Sequence, residues 1–227
     1  LSITPEKRNQ HVVKTEMDGK KVVLKFSEIH DLRPQEGQNF TNETFDEVLH
    51  EAFVGLYAMN RLNLPNFAKV LGVSLKSDCT TRRDVSLNEV LVCNYVVYEF
   101  IPGRSILEFV EKVETERSFK TLIKLYQALE IANSITQFTH YDLHPQNVIV
   151  TPEDEPVIID YGSAHIRYKG KNYGREMRVG KVCNKPMWVH DVFKVTAFLL
   201  FEIDPEIGAL SVEHDDRVME KEIARLR

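Results

Sequence analysis

Residues 139–150 read THYDLHPQNVIV. They place His140, Asp142 and His144 at alternate positions, then Asn147, then a purely apolar run. Polar groups at period two fit three arrangements: a metal site, a half-buried strand, or a loop that projects a base and a ligand into one cleft. The rest of the sequence chooses among them.

Downstream, IIDYG carries a second carboxylate, Asp160, at the end of an apolar run and just before Gly162. Asp160 and the Asn147 amide form an all-oxygen pair, which suits Mg²⁺ better than a softer metal. Asp142 is then left free to orient a hydroxyl nucleophile. Upstream, Lys25 lies inside the apolar run VVLKF, where a cation is costly unless it meets an anion. Glu51 borders the apolar stripe of a helical segment and is the natural partner. A lysine held by a glutamate can offer its ammonium to phosphate oxygens. Cation, divalent metal and positioned acceptor together make a set for phosphoryl transfer.

Bulk properties restrict the setting. A chain of 227 residues can hold one large domain or two lobes around a cleft. A net charge of -5 gives no support to a general nucleic-acid or membrane binder. The three cysteines, Cys79, Cys93 and Cys183, have neither CxxC spacing nor an even count, so neither a zinc cage nor a disulfide framework is expected. No apolar run reaches the roughly 20 residues needed to span a bilayer, and the first residues lack a signal-peptide pattern. The expectation is a soluble, intracellular and cytoplasmic protein. Residue 1 is Leu, so the sequence reads as a piece whose start lies upstream.

Along the chain, HVVKTEMDGKKVVLKF predicts a hairpin turning at Asp18-Gly19. Phe45, Val48, Leu49, Ala52, Leu56 and Met59 recur at helical spacing and predict a helix from about Asp46 to Leu62, closed by Pro65. NFAKVLGVSL and EVLVCNYVVYEFI predict two more strands around the polar loop KSDCTTRRDVS. After Pro102-Gly103 come a short helix near Ser105 to Val113 and a longer one from about Ser118 to Gln137. NVIV and PVIID predict a small hairpin, 163–185 reads as a basic polar segment, and VHDVFKVTAFLLFE reads as a helix before a charged terminal helix.

In order and spacing these residues resemble the protein-kinase-like superfamily. Lys25 in VVLK matches its third-strand lysine, Glu51 the helix-C glutamate, HYDLHPQN the catalytic loop and DYG the metal-binding motif. HEAFVGLYAMNRL with FTHYDLHPQNVIV is most similar to kinase-related proteins of large DNA viruses. The resemblance implies an α+β, two-lobed fold: an antiparallel-sheet N-lobe with helix C, residues 1–101, and a mainly helical C-lobe, residues 102–227, minimal or truncated. It implies ATP and Mg²⁺ in the cleft, with Asp142, Lys25, Glu51, Asn147 and Asp160 as catalytic residues and Asn147 and Asp160 on the metal. It also implies that the backbone of Glu99 and Ile101 meets adenine, that Val12 and Val23 press on the ring, and that Asp191 braces the catalytic loop. The activity implied is transfer of the ATP γ-phosphate to a protein serine or threonine hydroxyl.

Four departures bear on that reading. Pro5, Lys7 and Gln10 stand where a phosphate-covering loop has glycines, so Lys7 and Arg8 form a basic lid or the grip on phosphate is weak. Tyr141 replaces an arginine that would pair with a phosphorylated activation loop, and His144 replaces a lysine, as in small-molecule kinases. Gly55 replaces a large apolar residue, which would loosen the active arrangement. Two alternatives therefore stand beside the protein kinase: a pseudokinase acting as a binding module, and an aminoglycoside- or choline-kinase-like phosphotransferase. A further rival assembles His140, Asp142, His144, His190 and Asp191 into a metal-dependent phosphohydrolase. The basic run Arg167, Lys169, Lys171, Arg175, Arg178, Lys181 and Lys185 favours a substrate that is acidic around its acceptor.

Overall fold

The Asp18-Gly19 pair sets the first element. In the computed structural model, which describes residues 12–26, 30–31, 43–78, 91–174 and 186–203, Asp18 (φ 50°) and Gly19 (φ 73°) both take positive φ. Two such residues match the twist of a two-residue hairpin, here joining β1, Val12–Met17, to β2, Lys20–Phe26. β2 and its short continuation β3, His30–Asp31, pair with one edge of β5, Leu91–Glu99. β4, Val70–Asp78, pairs with the other edge, and every pairing is antiparallel. β4 thus runs into the stretch expected as a polar loop.

The register sorts side chains by face, since residues directly opposite one another share a side. Val12 faces Lys25, Lys25 faces Val96, and Val23 faces Tyr98, so these five lie on one face. Val13, Val22, Leu24, Phe26, Tyr95 and Val97 lie on the other and form their own buried cluster. Val96 and Tyr98 instead join the main core. Lys25 therefore projects from the face that meets the rest of the described protein.

Against that face packs α1, Glu43–Val54, which continues through a π-helical turn, Gly55–Met59, and a last α turn, Asn60–Leu62. The helix starts earlier than its apolar spacing suggests, and Leu49, expected in the stripe, is exposed. In the π turn the Asn60 N–H reaches the Gly55 carbonyl, five residues back. Asn60 then clasps the backbone of Val70, donating to its carbonyl at 2.7 Å and accepting from its N–H at 3.0 Å. Gly55 packs so closely on β4 that a Cβ there would lie 2.1 Å from Val70 Cγ2. The expected loosening at Gly55 is corrected by this contact: Val70 fills the space a large side chain would take.

Beyond β5 the elements are β6, Arg104–Ser105; α2, Ile106–Val110; α3, Thr115–Thr136; β7, Val148–Val150; β8, Pro156–Ile158; and α4, Trp188–Ile203. Ser105 caps α2, its hydroxyl accepting from the Glu108 N–H at 3.3 Å. α3 buries Thr121, Leu125, Ala128, Leu129 and Ala132, one helical face, and ends at Gln137 in a left-handed conformation (φ 53°). β6, β7 and β8 form a small antiparallel sheet. Between β8 and α4 lies a hairpin that the sequence reading missed: β9, Ile166–Tyr168, and β10, Lys171–Tyr173, turning at Lys169 (φ 49°) and Gly170 (φ 79°). It packs on α1 through Phe53, whose ring centroid lies 5.6 Å from Tyr168 and 4.7 Å from Tyr173.

The architecture is a mixed α/β protein with an antiparallel sheet and several helices, compatible with a kinase-like fold. No described helix is long and apolar enough to cross a membrane. Pro5, Lys7, Arg8, Gln10, Cys79, Arg175, Arg178, Lys181, Cys183, Lys185 and the terminal helix lie outside the described residues.

Candidate active site

The loop after α3 is not the half-buried strand that its alternation suggests. His140 and Leu143 are both fully buried, and Asp142 and His144 are partly exposed. Period two breaks because Tyr141 turns into the left-handed region (φ 64°), unusual for a bulky residue and held only where surroundings over-determine it. What determines it is Asp191. Its buried carboxylate accepts the His140 N–H at 2.6 Å and the Tyr141 N–H at 2.9 Å.

His140 fastens the same loop from the other side. Its Nδ1 accepts from the Asp142 N–H at 3.2 Å, which leaves Nε2 to donate to the Ile159 carbonyl at 2.9 Å. Asn147 donates from Nδ2 to the Asp142 carbonyl at 2.9 Å, and its own carbonyl accepts from Ile159 N–H at 3.0 Å. Two bonds thus run from the Asp142 loop to the residue preceding Asp160. His140 and Asp191 are committed to backbone, and among the described residues no group of three or more His, Cys, Asp or Glu could hold a metal. The phosphohydrolase arrangement does not form.

Lys25, Glu51 and Asp160, far apart in sequence, meet. The Lys25 ammonium donates to both Glu51 oxygens at 3.0 Å and to Asp160 Oδ1. The Tyr98 hydroxyl donates to Glu51 Oε1 at 2.5 Å. Burial pulls the Lys25 ammonium down, but the two carboxylates outweigh it and raise it above its ordinary value. Burial also pushes Asp160 up, yet Lys25 holds it below the usual carboxylate range. Glu51 ends above that range, because its burial and the Asp160 charge outweigh Lys25 and Tyr98. One ammonium between two carboxylates leaves the trio net negative, which favours a further cation beside Asp160.

Asp160 itself takes a left-handed conformation (φ 67°), and Gly162 follows it. A Cβ at Gly162 would lie 3.3 Å from Asp160 Oδ1, 3.5 Å from Glu51 Oε2 and 3.6 Å from Lys25 Nζ. Glycine there keeps a side chain off the trio. With Asn147 Nδ2 spent on the Asp142 carbonyl, the oxygen left to a ligand is Oδ1, so Asn147 and Asp160 fit the hard-oxygen donor set of Mg²⁺.

Tyr161 supports the site from beneath. It is fully buried, its hydroxyl donates to the Ala68 carbonyl at 2.7 Å, and its ring lies 5.9 Å from that of Tyr98. Burial pushes both phenols well above their ordinary value. Val12 and Val23 share the sheet face of Lys25, with Val12 half exposed. The Glu99 N–H donates to the Lys69 carbonyl at 2.9 Å, and its carboxylate accepts from the Lys69 N–H at 2.7 Å, so these groups bind the residue just before β4. Ile101 is half-buried against the core.

Asp142 departs from expectation. Its carboxylate is not left free: Oδ1 accepts from Lys194 Nζ at 2.5 Å. Lys194 was passed over in the sequence, although its position three residues after Asp191 puts both on one helical face.

No family model matches the chain. Over 131 aligned residues it is 30% identical to a probable kinase of Invertebrate iridescent virus 3, covering 48% of this chain and 24% of that protein. It is 26% identical over 167 residues to an uncharacterized protein of the same virus, covering 56% of this chain and 15% of that one. It is 28% identical over 110 residues to a probable serine/threonine-protein kinase of Clostridium perfringens, covering 47% of this chain and 14% of that one. The chain thus spans a quarter or less of the length of these relatives. Two of the three are named as kinases, and the similarity supports a kinase-like relationship for the chain.

Proposed function

We propose that the chain is a phosphotransferase that moves the γ-phosphate of ATP to a protein serine or threonine hydroxyl. The observation that carries the proposal is the Lys25 ammonium held jointly by Glu51 and Asp160, with glycine at 162 placing no side chain against the trio. The division is two-lobed, residues 1–101 and 102–227, with ATP between. Lys25, kept in place by Glu51, takes the α and β phosphate oxygens. Asp160 and Asn147 would hold Mg²⁺, whose charge neutralises the triphosphate. Asp142 orients the acceptor hydroxyl and receives its proton. Val12 and Val23 line the adenine site, and the backbone of Glu99 and Ile101 meets the ring edge. Arg167, Lys169 and Lys171, exposed on the β9–β10 hairpin, suit a substrate acidic around its acceptor.

The test is a thermal-shift titration with ATP, with and without Mg²⁺. Wild type is expected to gain Tm with ATP and gain more with Mg²⁺, and Asp160→Ala is expected to lose the Mg²⁺-dependent part. Identical curves for both proteins would remove the proposal. A second reading, a nucleotide-binding module without turnover, draws on the absence of glycine at Pro5, Lys7 and Gln10. A full ATP shift with no phosphate transfer would select it. His144 in DLHPQN keeps a small-molecule hydroxyl as the alternative acceptor.

A further inference from the structure

α4 presents two opposite charges, one helical turn apart, to four successive groups of the loop. Asp191 accepts the N–H groups of His140 and Tyr141 at 2.6 and 2.9 Å. Lys194 donates to the next two acceptors, the Tyr141 carbonyl at 3.4 Å and Asp142 Oδ1 at 2.5 Å. The carboxylate lies under donors and the ammonium under acceptors, so the face matches the loop group by group. The stem of Lys194 is mostly covered, with 23% of the side chain exposed, and its ammonium lies 6.0 Å from the Phe198 ring centroid. The Asp142 side chain is 46% exposed even with Oδ1 held by Lys194. His144, two residues past Asp142, is bonded instead to Gln146 Oε1 at 2.9 Å.

We infer that Lys194 is a positioning residue for phosphate transfer. It binds one oxygen of Asp142 and so fixes the carboxylate plane with Oδ2 toward the acceptor hydroxyl. The inference rests on the phosphotransferase reading. An unpaired Asp142 would rotate about its side-chain torsions, and each misaligned rotamer withdraws the base from the acceptor.

The experiment compares wild type, Lys194→Met, Lys194→Arg, Asp142→Asn and the Asp142→Asn/Lys194→Met double variant, using labelled ATP·Mg²⁺ with casein and the protein itself as acceptors. Expected for Lys194→Met is a kcat loss of about 10- to 100-fold. KM for ATP and Tm should stay near wild type, and Lys194→Arg should recover part of the rate. Because Lys194 acts through Asp142, the double variant should be no slower than Asp142→Asn alone. A wild-type rate in Lys194→Met overturns the inference and leaves the phosphotransferase reading standing. A loss of kcat in step with Tm, unrelieved by arginine, marks Lys194 as structural only and overturns it too. Wild type that binds ATP yet transfers no phosphate fells both readings together, a result separable from the others because it needs no variant.

Discussion

Gly55 and Val70 share the space of one side chain: a Cβ on Gly55 would lie 2.1 Å from Val70 Cγ2 and 2.7 Å from Val70 Cβ. The close approach of α1 to β4 carries Glu51, one turn earlier, to the Lys25 ammonium. Gly55→Ala is therefore expected to destabilise by about 1–3 kcal/mol through overpacking, despite the better helix propensity of alanine. Urea unfolding checks this. Val70→Ala should couple to it, so that the double variant loses less than the sum of the singles.

Asp142 and Asp160 carry different proposed roles, acceptor base and Mg²⁺ ligand, and their expected failures differ. Asp142→Asn should lower the rate of phosphate transfer by about 10²- to 10⁴-fold, the range of a lost general base. It should keep the ATP-induced rise in Tm. Asp160→Ala should lose the Mg²⁺-dependent part of that rise. Parallel transfer assays and thermal shifts separate the two, and equal loss of ATP binding in both variants would contradict the assigned roles.

Asp191 holds two backbone N–H groups with one buried carboxylate. Asn has a single acceptor oxygen, so Asp191→Asn leaves one buried donor unpaired and should cost about 1–3 kcal/mol. The left-handed turn at Tyr141 loses its clamp at the same time. Native-state hydrogen exchange should show faster exchange at the His140 and Tyr141 amides, with α3 amides little changed near its centre. Unchanged protection at those two positions would refute the clamp.

Lys25, Tyr98 and Tyr161 predict the alkaline limit. Burial raises both phenols above their ordinary value of 10.0, and the two carboxylates raise Lys25 above 10.5 despite its burial. Above about pH 10 the unfolded chain releases these protons while the folded chain keeps them. The unfolded state then binds fewer protons, so stability falls with rising pH. Tyr161→Phe should flatten that fall in a pH series of urea midpoints. An alkaline limb of unchanged slope in the variant would argue against a buried, protonated Tyr161.

Turn chemistry and periodicity are local, and there the sequence is readable. Asp18-Gly19 specifies its hairpin because both residues accept positive φ, and the helix expected over about Ser118 to Gln137 forms as α3, Thr115–Thr136. Lys169-Gly170 makes an equivalent turn, yet it hides in a basic stretch whose charge outweighs the flanking Ile166, Tyr168 and Tyr173 to the eye. Lys25 and Glu51 are each conspicuous alone: a cation within an apolar strand, and an acid beside an apolar stripe.

What only the tertiary structure decides is which groups meet across long separations. Whether Gly55 loosens or tightens α1 depends on Val70 of another element. Whether Asp142 stands free depends on Lys194, 52 residues downstream. Local pattern determines which residues face inward, because φ and helical or pleated repeat act over a few residues. Partnership across the chain is set by close packing and charge pairing in three dimensions, which no short window of sequence contains.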